Sequence, residues 1–259
     1  MPDFDLTVPH ISRVYDYWLG GKDNFAADRE LGEQTRRAYP NIVDSVRANR
    51  AFLARSVRFL TVDRGIRQFL DIGAGLPTAN NIHEVAQREA PDARIVYADN
   101  DPVVLTHARA LLRSTPQGGL AYLDADMRYP DMILAEAVKT LDFSQPVAVM
   151  LLTVLQFASD DDVYSVVERL TDACAPGSYL AISHPASDIE ADRHNEMVRR
   201  MNASMAQKVR LRDHAGVARM FNGLELVEPG IVKASQWRPD TDAERTTPTV
   251  LWAGVARKP

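Results

Sequence analysis

From residue 67 onward, the hydrophobic pattern of the chain alternates between two kinds of segment. Short apolar or β-branched runs, typical of buried strands, are separated by longer amphipathic segments with helical spacing. This alternation predicts βαβ units that build a mostly parallel sheet in an α/β fold. The predicted strands are Gln68–Ile72, Arg94–Ala98, Ala121–Asp124, Val147–Leu152 and Ser178–Ser183. The predicted helices between them are Ile82–Glu89, Pro102–Arg113, Asp131–Lys139 and Asp160–Ala173.

The pattern changes after the fifth predicted strand. Two polar segments with helical spacing, Asp188–Lys208 and Asp213–Phe221, predict a helical cap over residues 185–222. Two further strands are predicted at Leu224–Val232 and Thr249–Ala256, with a polar loop around Trp237 between them. We expect them to form an antiparallel pair at the end of a seven-stranded, Rossmann-like sheet. Dinucleotide-binding dehydrogenases, in contrast, usually have a parallel sheet throughout.

The first 66 residues have a different pattern. Ser12–Leu19 predicts a short aromatic helix that ends at a Gly-Gly pair, and Asn41–Leu60 predicts a longer helix with one apolar side. Residues 1–66 contain too few apolar side chains to fold alone. They are therefore predicted to form a helical lid that packs on a core of residues 67–259.

Composition and charge narrow the classes of partner. Hydrophobic residues make up 46% of the chain and charged residues 25%, which is typical of a globular protein. The net charge of −5 argues against a nucleic-acid partner, because phosphate binding requires clustered Lys and Arg. The basic run Arg210-Leu211-Arg212 is interpreted as solvated surface, and the single cysteine, Cys174, as part of the core.

Neither a membrane nor a metal is predicted. The N-terminal residues lack the charged and apolar regions of a secretory signal, and no run of 18 apolar residues occurs. The sequence therefore predicts a cytoplasmic protein. The six histidines show no short ligand spacing, and one cysteine cannot supply a thiolate cluster, so no metal site is expected.

The strongest chemical motif follows the first predicted strand. Phe69–Ile72 runs directly into Gly73-Ala74-Gly75, and glycine permits both a tight turn and the close approach of a ligand to the backbone. A Gly-x-Gly turn after a strand can also be purely structural. The residues at the ends of the next two strands favour the binding interpretation.

Acidic residues follow the second and third predicted strands. Asp99, beside Asn100, can accept hydrogen bonds from two ribose hydroxyls; the alternative is that Asp99 only caps the next helix, a role that suits Asp101 better. Asp126, with Met127, is preferred over Asp124 for binding the adenine amine. Because ligands of open α/β sheets bind at the carboxyl ends of the strands, these residues predict one nucleoside site.

The glycine turn also distinguishes two kinds of cofactor. A dinucleotide fingerprint requires a third glycine that lets the helix approach a pyrophosphate, and this chain has Thr78 at that position. S-adenosylmethionine carries no phosphate, so it is the predicted cofactor. A nicotinamide oxidoreductase and an aminopropyl transferase remain as alternatives.

Several segments resemble a bacterial S-adenosyl methyltransferase family long catalogued as a domain of unknown function. The resemblance lies in residues 12–28, which include Tyr-Asp-Tyr-Trp-Leu-Gly-Gly-Lys-Asp-Asn-Phe, and in residues 69–78, 97–102, 221–230 and 237–239. It covers nearly the whole chain. It implies a class I methyltransferase fold in which Gly73, Gly75, Asp99 and Asp126 bind the cofactor.

This chain departs from the family after the fourth predicted strand. The family commonly has Leu-His-aromatic there, whereas this chain has Leu155-Gln156-Phe157. If the histidine binds or deprotonates an acceptor, Gln156 changes or removes that chemistry. The equally open alternative is that this position lies behind the site and does not touch the acceptor.

Further candidates are weaker. Positioning alone can supply much of the catalysis of a displacement reaction, so a base is optional; His184, after the fifth strand, is the leading candidate, unless it only bonds a nearby loop. Tyr15 and Tyr17 are predicted to lie over the sulfonium or the acceptor, with packing beside Trp18 as the alternative. Asn24, in a polar loop, suits the cofactor carboxylate. Thr153, after the fourth strand, completes the predicted cofactor site, whereas Asn81 and His83 either contact the methionine moiety or cap their helix.

These observations predict an S-adenosylmethionine-dependent methyltransferase. The predicted acceptor is a small molecule methylated at oxygen or nitrogen, with a place in secondary metabolism. The alternative is a non-catalytic protein that binds S-adenosylmethionine or S-adenosylhomocysteine, which Gln156 keeps open.

Overall fold

The computed structural model describes residues 6–111 and 113–259. Within these residues, the chain forms one eight-stranded sheet with the order β3-β2-β1-β4-β5-β8-β6, and β7 also pairs with β8. The strands are β1 Gln68–Ile72, β2 Arg94–Asp99, β3 Gly119–Asp124, β4 Ala148–Leu152, β5 Tyr179–Pro185, β6 Glu225–Leu226, β7 Val232–Lys233 and β8 Leu251–Arg257.

Strands β1 to β5 are parallel to one another and lie where the hydrophobic pattern predicted them. Strand β8 then pairs antiparallel with β5, which confirms the predicted antiparallel ending. The prediction of seven strands was wrong for the described residues, because the predicted strand Leu224–Val232 divides into β6 and β7. Pro229, which has no N–H to donate, and Gly230, with a φ of 83°, interrupt it.

Ten α-helices occur in the described residues. They are α1 Ile11–Leu19, α2 Ala26–Ala38, α3 Ile42–Val62, α4 Ile82–Glu89, α5 Pro102–Leu111, α6 Pro130–Ala137, α7 Val163–Asp172, α8 Ala191–Ser204, α9 His214–Arg219 and α10 Asp242–Thr246. Helix α2 was not predicted, because its sequence is mostly polar and Leu31 is its only large apolar residue. The predicted lid began at residue 1 and the predicted helix Pro102–Arg113 crossed residue 112; residues 1–5 and 112 lie outside the described residues.

The sheet is covered on both faces by apolar clusters. One cluster contains Leu70, Val149 and Cys174, so the placement of the cysteine in the core is confirmed. The opposite cluster contains Phe52 from α3 and Trp237. Trp237 is fully buried in that cluster although the loop around it is polar, and the sequence pattern did not predict this burial.

A third apolar cluster joins the N-terminal helices to the segment after β5. It contains Val14 and Trp18 of α1, Leu31 of α2, and Met197 and Met201 of α8. We call α1, α2 and α8 the covering layer, because residues of α1 and α8 face the ends of the parallel strands across a cavity. The two predicted cap helices separate: α8 belongs to this layer, whereas α9 packs through buried residues on the sheet core.

Among the described residues, no helix combines the length and the apolar character needed to cross a membrane.

Candidate functional site

A cavity of about 470 Å³ lies between the covering layer and the carboxyl ends of the parallel strands. This volume is typical of a small-molecule binding pocket. At one end, the cavity is lined by the turn after β1 and by residues that follow β2 and β3. At the other end, it is lined by α8 and by the residues that follow β4. We call these the glycine-turn end and the α8 end.

Glycine is required at the turn after β1 for two different reasons. Gly73 and Gly75 both have positive φ angles, 79° and 67°. A Cβ atom at Gly73 would lie 2.4 Å from Cγ2 of Val154, so the backbone packs directly on that side chain. A Cβ atom at Gly75 would have no described atom within 4 Å, so this side of the turn is open to a ligand.

Asp99, at the end of β2, supports the same turn. One of its carboxylate oxygens accepts a hydrogen bond from the Gly75 N–H at 2.9 Å, and the other accepts one from the Asp101 N–H at 2.9 Å. A carboxylate has about four acceptor positions, so two remain for a ligand in the cavity. Burial raises the pKa of Asp99. Asp101, not Asp99, accepts the hydrogen bond from Val103 N–H that caps the next helix.

Asp126 lines the cavity together with Met127, whereas Asp124 is not among the described lining residues. The Asp126 carboxylate accepts three hydrogen bonds from Arg128 and one from Asn100. The hydrogen bonds from Arg128 lower the pKa of Asp126. These four donors fill its acceptor positions, so an adenine amine must displace one of them. The Arg128 side chain is 57% exposed and can move away.

The α8 end of the cavity is mostly apolar. Met197 and Met201 of α8 and Phe157 line it, and its polar lining residues include Gln156, His194 and, after α8, Gln207, Lys208 and Arg210. Gln156 lies in the 3₁₀ turn Leu155–Phe157 and is 8% exposed; its Oε1 has no hydrogen-bond partner among the described residues. An unpaired buried acceptor costs about 1–3 kcal/mol, so this amide is suited to a ligand that completes its bonding.

Comparison with known proteins identifies the family. The model of the family described as S-adenosyl methyltransferase matches residues 1–259. The chain belongs to this family. The methyltransferase therefore uses S-adenosylmethionine, and the family decides against the oxidoreductase and aminopropyl transferase alternatives.

Two solved structures are similar to this methyltransferase over their whole length. A DUF574 family protein from Streptomyces avermitilis is 42% identical, with a TM-score of 0.95 over 98% of this chain and 99% of that chain. A protein from Thermobifida fusca, described as a candidate methyltransferase, is 43% identical, with a TM-score of 0.90 over 99% and 97% of the two chains.

More distant relatives share less. Trans-aconitate 2-methyltransferase of Methylobacterium radiotolerans is 29% identical over 182 residues, which are 66% of this chain and 60% of that relative. A plantazolicin methyltransferase, solved with S-adenosylhomocysteine, has a TM-score of 0.51 at 12% identity, covering 95% and 94% of the two chains. The latter similarity shows the class I fold alone.

Most of the residues predicted for the site do line the cavity of the methyltransferase. They are Tyr15, Gly73, Ala74, Gly75, Asp99, Asn100, Asp126, Met127, Thr153 and Gln156. Tyr17, Asn24 and His184 are not among the described lining residues. The position of each of these three has a physical reason.

Tyr17 and Asn24 take part in the structure of the N-terminal helices. Tyr17 lies two positions after Tyr15 on α1, so the two rings cannot share one face of that helix. Its hydroxyl donates to Glu33 of α2 at 2.5 Å. The Asn24 amide donates to Asp16 at 2.7 Å and so fixes the loop after α1. We therefore correct both predictions: neither side chain belongs to the described lining of the cavity.

His184 does not fit the predicted role of general base. Its Nδ1 lies 2.9 Å from the Pro185 carbonyl oxygen, and its Nε2 accepts a hydrogen bond from Arg212 at 2.8 Å. Burial lowers the pKa of His184 to about 3. A ring nitrogen that already accepts from a guanidinium cannot take a proton from a substrate. The open alternative, that His184 only bonds nearby groups, fits the structure.

Asn81 and His83 also have structural partners, as the alternative to contact with the methionine moiety predicted. The Asn81 N–H donates to Glu84 at 2.8 Å, as at a capped helix start, and its side chain bonds Thr78. His83 bonds the Tyr97 hydroxyl through both its N–H and its ring. Neither residue belongs to the described lining of the large cavity.

Several polar residues that line the cavity were not predicted from the sequence, among them Asn49, Arg50, Asp71 and His194. Asp71 had a visible signal, because it interrupts an otherwise apolar strand directly before the glycine turn. Asn49 had a similar signal within the apolar side of α3. Arg50 and His194 had none, because they lie in helices that contain many other polar residues.

Asn49 connects the N-terminal helices to the sheet. Its amide nitrogen donates to the Tyr15 hydroxyl at 3.0 Å and to Thr153 at 3.4 Å, and its oxygen accepts from Ser183 at 2.7 Å. Thr153 has a φ of 53°, which is uncommon for a β-branched residue and occurs mostly where a site requires it. This network holds α1 and α3 over the ends of β4 and β5.

Asp71 predicts a pH dependence of stability. Burial raises its pKa from 3.8 to about 7, and no described residue donates a hydrogen bond to its carboxylate. Between about pH 4 and pH 7, the folded state holds a proton that the unfolded state has released, so the stability of the wild type falls as pH rises. Asp71→Asn removes this titration. We expect the variant to gain up to a few kcal/mol over the wild type between pH 5 and pH 8.

Urea unfolding at pH 5 and at pH 8 measures the free energy of unfolding of the wild type and of Asp71→Asn. Asp124→Asn, which changes an exposed carboxylate at the end of β3, is the matched control and is expected to follow the wild type. A wild type and an Asp71→Asn variant with parallel pH dependences would contradict the raised pKa.

Proposed function

We propose that this methyltransferase transfers the methyl group to a small molecule bound at the α8 end of the cavity, at an oxygen or nitrogen atom. The observation that carries the proposal is the continuity of the cavity, which joins Asp99 and Gly75 at one end to Met197 and Gln156 at the other. A cofactor at the glycine-turn end and an acceptor at the α8 end would then meet inside one space. The small volume and the covering layer argue against a macromolecular acceptor.

The residues at the glycine-turn end fit S-adenosylmethionine. Gly75 leaves open space beside the turn, and Asp99 keeps two acceptor positions for the ribose hydroxyls. Asp71 offers an unpaired carboxylate to the α-ammonium group. Arg50 lies near enough to lower the pKa of Asp71, and its guanidinium is suited to the α-carboxylate. This pair of opposite charges matches the two charges of an amino acid.

When bound, the cofactor supplies an electrophilic methyl group on a sulfonium. The protein's contribution is to align the acceptor and to exclude water, and such positioning can be worth an effective molarity of about 10⁵–10⁸ M. We propose that residues 1–66 act as a lid and that the segment 185–222 acts as a cap. Their shared apolar cluster, which includes Trp18 and Met201, supports this because Trp18 and Met201 also line the cavity opposite the strand ends.

A carboxylate acceptor is the second candidate. The Methylobacterium radiotolerans relative is named for trans-aconitate, which is a carboxylate. Arg210 lines the cavity, and no described residue forms an ion pair or hydrogen bond with its guanidinium, so it is available to an anionic acceptor.

Asp99→Ala tests the cofactor site. We expect the variant to bind S-adenosylhomocysteine about tenfold more weakly or worse, because a hydrogen bond to a charged acceptor contributes about 1.5–3 kcal/mol. Calorimetric titration measures the dissociation constant. Asp124→Ala removes a carboxylate from the neighbouring strand end, outside the described lining, and is expected to bind like the wild type. An unchanged dissociation constant in Asp99→Ala would remove this residue from the site.

A further inference from the structure

His194 lies near the start of α8 and lines the cavity although it is only 2% exposed. Its Nδ1 lies 2.7 Å from the carbonyl oxygen of Ala186. A carbonyl oxygen can only accept a hydrogen bond, so Nδ1 carries the proton of the neutral ring. The lone pair therefore lies on Nε2, and the ring orientation is set by the main chain.

The Nε2 atom of His194 is available. Within the part of the chain that the structure describes, no group forms a hydrogen bond with it. Burial lowers the pKa of His194, against the opposing effects of the Ala186 carbonyl and of Glu190, so the ring is neutral near pH 7. The Tyr39 ring lies beside the His194 ring, with 6.1 Å between the ring centroids, and the Tyr39 hydroxyl donates to Glu190 at 3.1 Å. The Glu190 carboxylate can only accept hydrogen bonds, so it cannot occupy the lone pair of Nε2.

A comparison with His184 shows why His194 is distinct. Both rings donate from Nδ1 to a nearby carbonyl oxygen, which leaves Nε2 as the acceptor in each. In His184, that acceptor is bonded to Arg212, and the residue does not belong to the described lining of the cavity. In His194, the same atom has no protein partner. Of the two, only His194 combines an oriented basic nitrogen with a place at the acceptor end.

We propose that His194 Nε2 is the general base of this methyltransferase, and that it removes the proton from a hydroxyl group on an apolar, aromatic acceptor. This inference rests on the proposed function, because it assigns a role at the α8 end of the same cavity.

The surroundings favour a hydroxyl over the other acceptors. A carboxylate is already ionised near neutral pH and needs no base. An ammonium group at the α8 end would lie near the guanidinium group of Arg210, which repels it. An aromatic hydroxyl is neutral, and Met197 and Met201 offer the apolar surface and sulfur contacts that suit an aromatic ring.

The step balances as follows for an aromatic hydroxyl. The O–H proton passes to His194 Nε2, which becomes an imidazolium. An electron pair on the acceptor oxygen forms the new bond to the methyl carbon, while the pair of the broken carbon–sulfur bond stays on sulfur. The products are the methyl ether and S-adenosylhomocysteine, and the imidazolium then releases its proton to solvent.

His194→Asn separates the base from its structural role. The asparagine amide can still donate to the Ala186 carbonyl in place of Nδ1, but the variant lacks Nε2. We expect release of S-adenosylhomocysteine with 2-naphthol as acceptor to fall about 100-fold or more, the usual contribution of a general base. With 2-naphthoate, which has no proton to remove, any turnover is expected to stay within about twofold of the wild type. His107→Asn, which changes a ring that also bonds a carbonyl but lies outside the described lining, is expected to behave as the wild type.

A second measurement does not depend on turnover. Nitrogen chemical shifts of the histidine rings, with and without S-adenosylhomocysteine, report which nitrogen carries the proton. We expect the Nδ1–H tautomer for His194, and a ring that is neutral at pH 7. An Nε2–H tautomer, or an imidazolium at that pH, would overturn the proposal.

The outcomes also separate this inference from the proposed function. A wild type that fails to bind S-adenosylhomocysteine would contradict the cofactor site itself. A wild type that binds it but methylates 2-naphthoate and not 2-naphthol, or neither probe, would overturn the hydroxyl acceptor alone. Unreduced turnover of 2-naphthol by His194→Asn would overturn the base alone.

Discussion

Arg212→Leu is expected to lower the free energy of unfolding by at least about 3 kcal/mol, because three buried acceptors lose their donor at about 1–3 kcal/mol each. The interpretation of this residue as solvated surface was wrong, because it is 6% exposed. The Nη1 atom of the guanidinium donates to the Leu155 carbonyl at 3.2 Å and to His184 at 2.8 Å. The Nη2 atom donates to the Ala158 carbonyl at 3.0 Å and to the Asp160 carboxylate at 2.8 Å. Leucine would leave the buried acceptors of Leu155, Ala158 and His184 without a donor, whereas the Asp160 carboxylate is 79% exposed and can bond water.

Urea unfolding at one pH measures this loss. Arg210→Leu is the matched control, because it belongs to the same basic run but is exposed, and its expected change in stability is within about 0.5 kcal/mol. Arg212→Lys keeps the charge but not the forked donor geometry, so it is expected to recover only part of the loss. Equal stabilities of Arg212→Leu and Arg210→Leu would show that the buried network contributes nothing.

Alanine is expected to act differently at the two glycines of the turn. Gly73→Ala mainly lowers stability, whereas Gly75→Ala mainly weakens cofactor binding. Gly73→Ala combines the cost of an L residue at positive φ, about 1–2 kcal/mol, with overpacking against Val154, about 1–3 kcal/mol. Gly75→Ala has only the first cost, because its new methyl group would enter open space. That space belongs to the proposed cofactor site, so we expect the Gly75→Ala variant to fold but to bind S-adenosylhomocysteine at least about tenfold more weakly.

Thermal unfolding and calorimetric titration of both variants test this pair. The expected order of stability is wild type, Gly75→Ala, Gly73→Ala. A Gly75→Ala variant with the affinity of the wild type would place the ligand away from this turn. A Gly73→Ala variant as stable as Gly75→Ala would show that Val154 yields without cost.

The residues predicted for the site illustrate two kinds of information. Gly73, Gly75 and Asp99 were found because a strand, a tight turn and an acid at a strand end are written in consecutive positions, and parallel strands bring their carboxyl ends together. Tyr15 lines the cavity and Tyr17 does not, because an α-helix has 3.6 residues per turn and residues two positions apart lie on different faces. The helical period alone shows that both rings cannot face the cavity. It does not show which of the two does.

The sequence by itself determined the parallel strands, the antiparallel ending and the glycine turn, because each follows from short-range periodicity or from backbone conformations that few residues adopt. Only the tertiary structure decided the fate of Arg212, Trp237, His184 and His194. These four side chains are buried by packing against other parts of the fold, and Arg212 bonds His184 and Leu155, 28 and 57 positions away in the chain. Whether a polar side chain is solvated, structural or open to a ligand depends on those distant partners, and no local pattern encodes them.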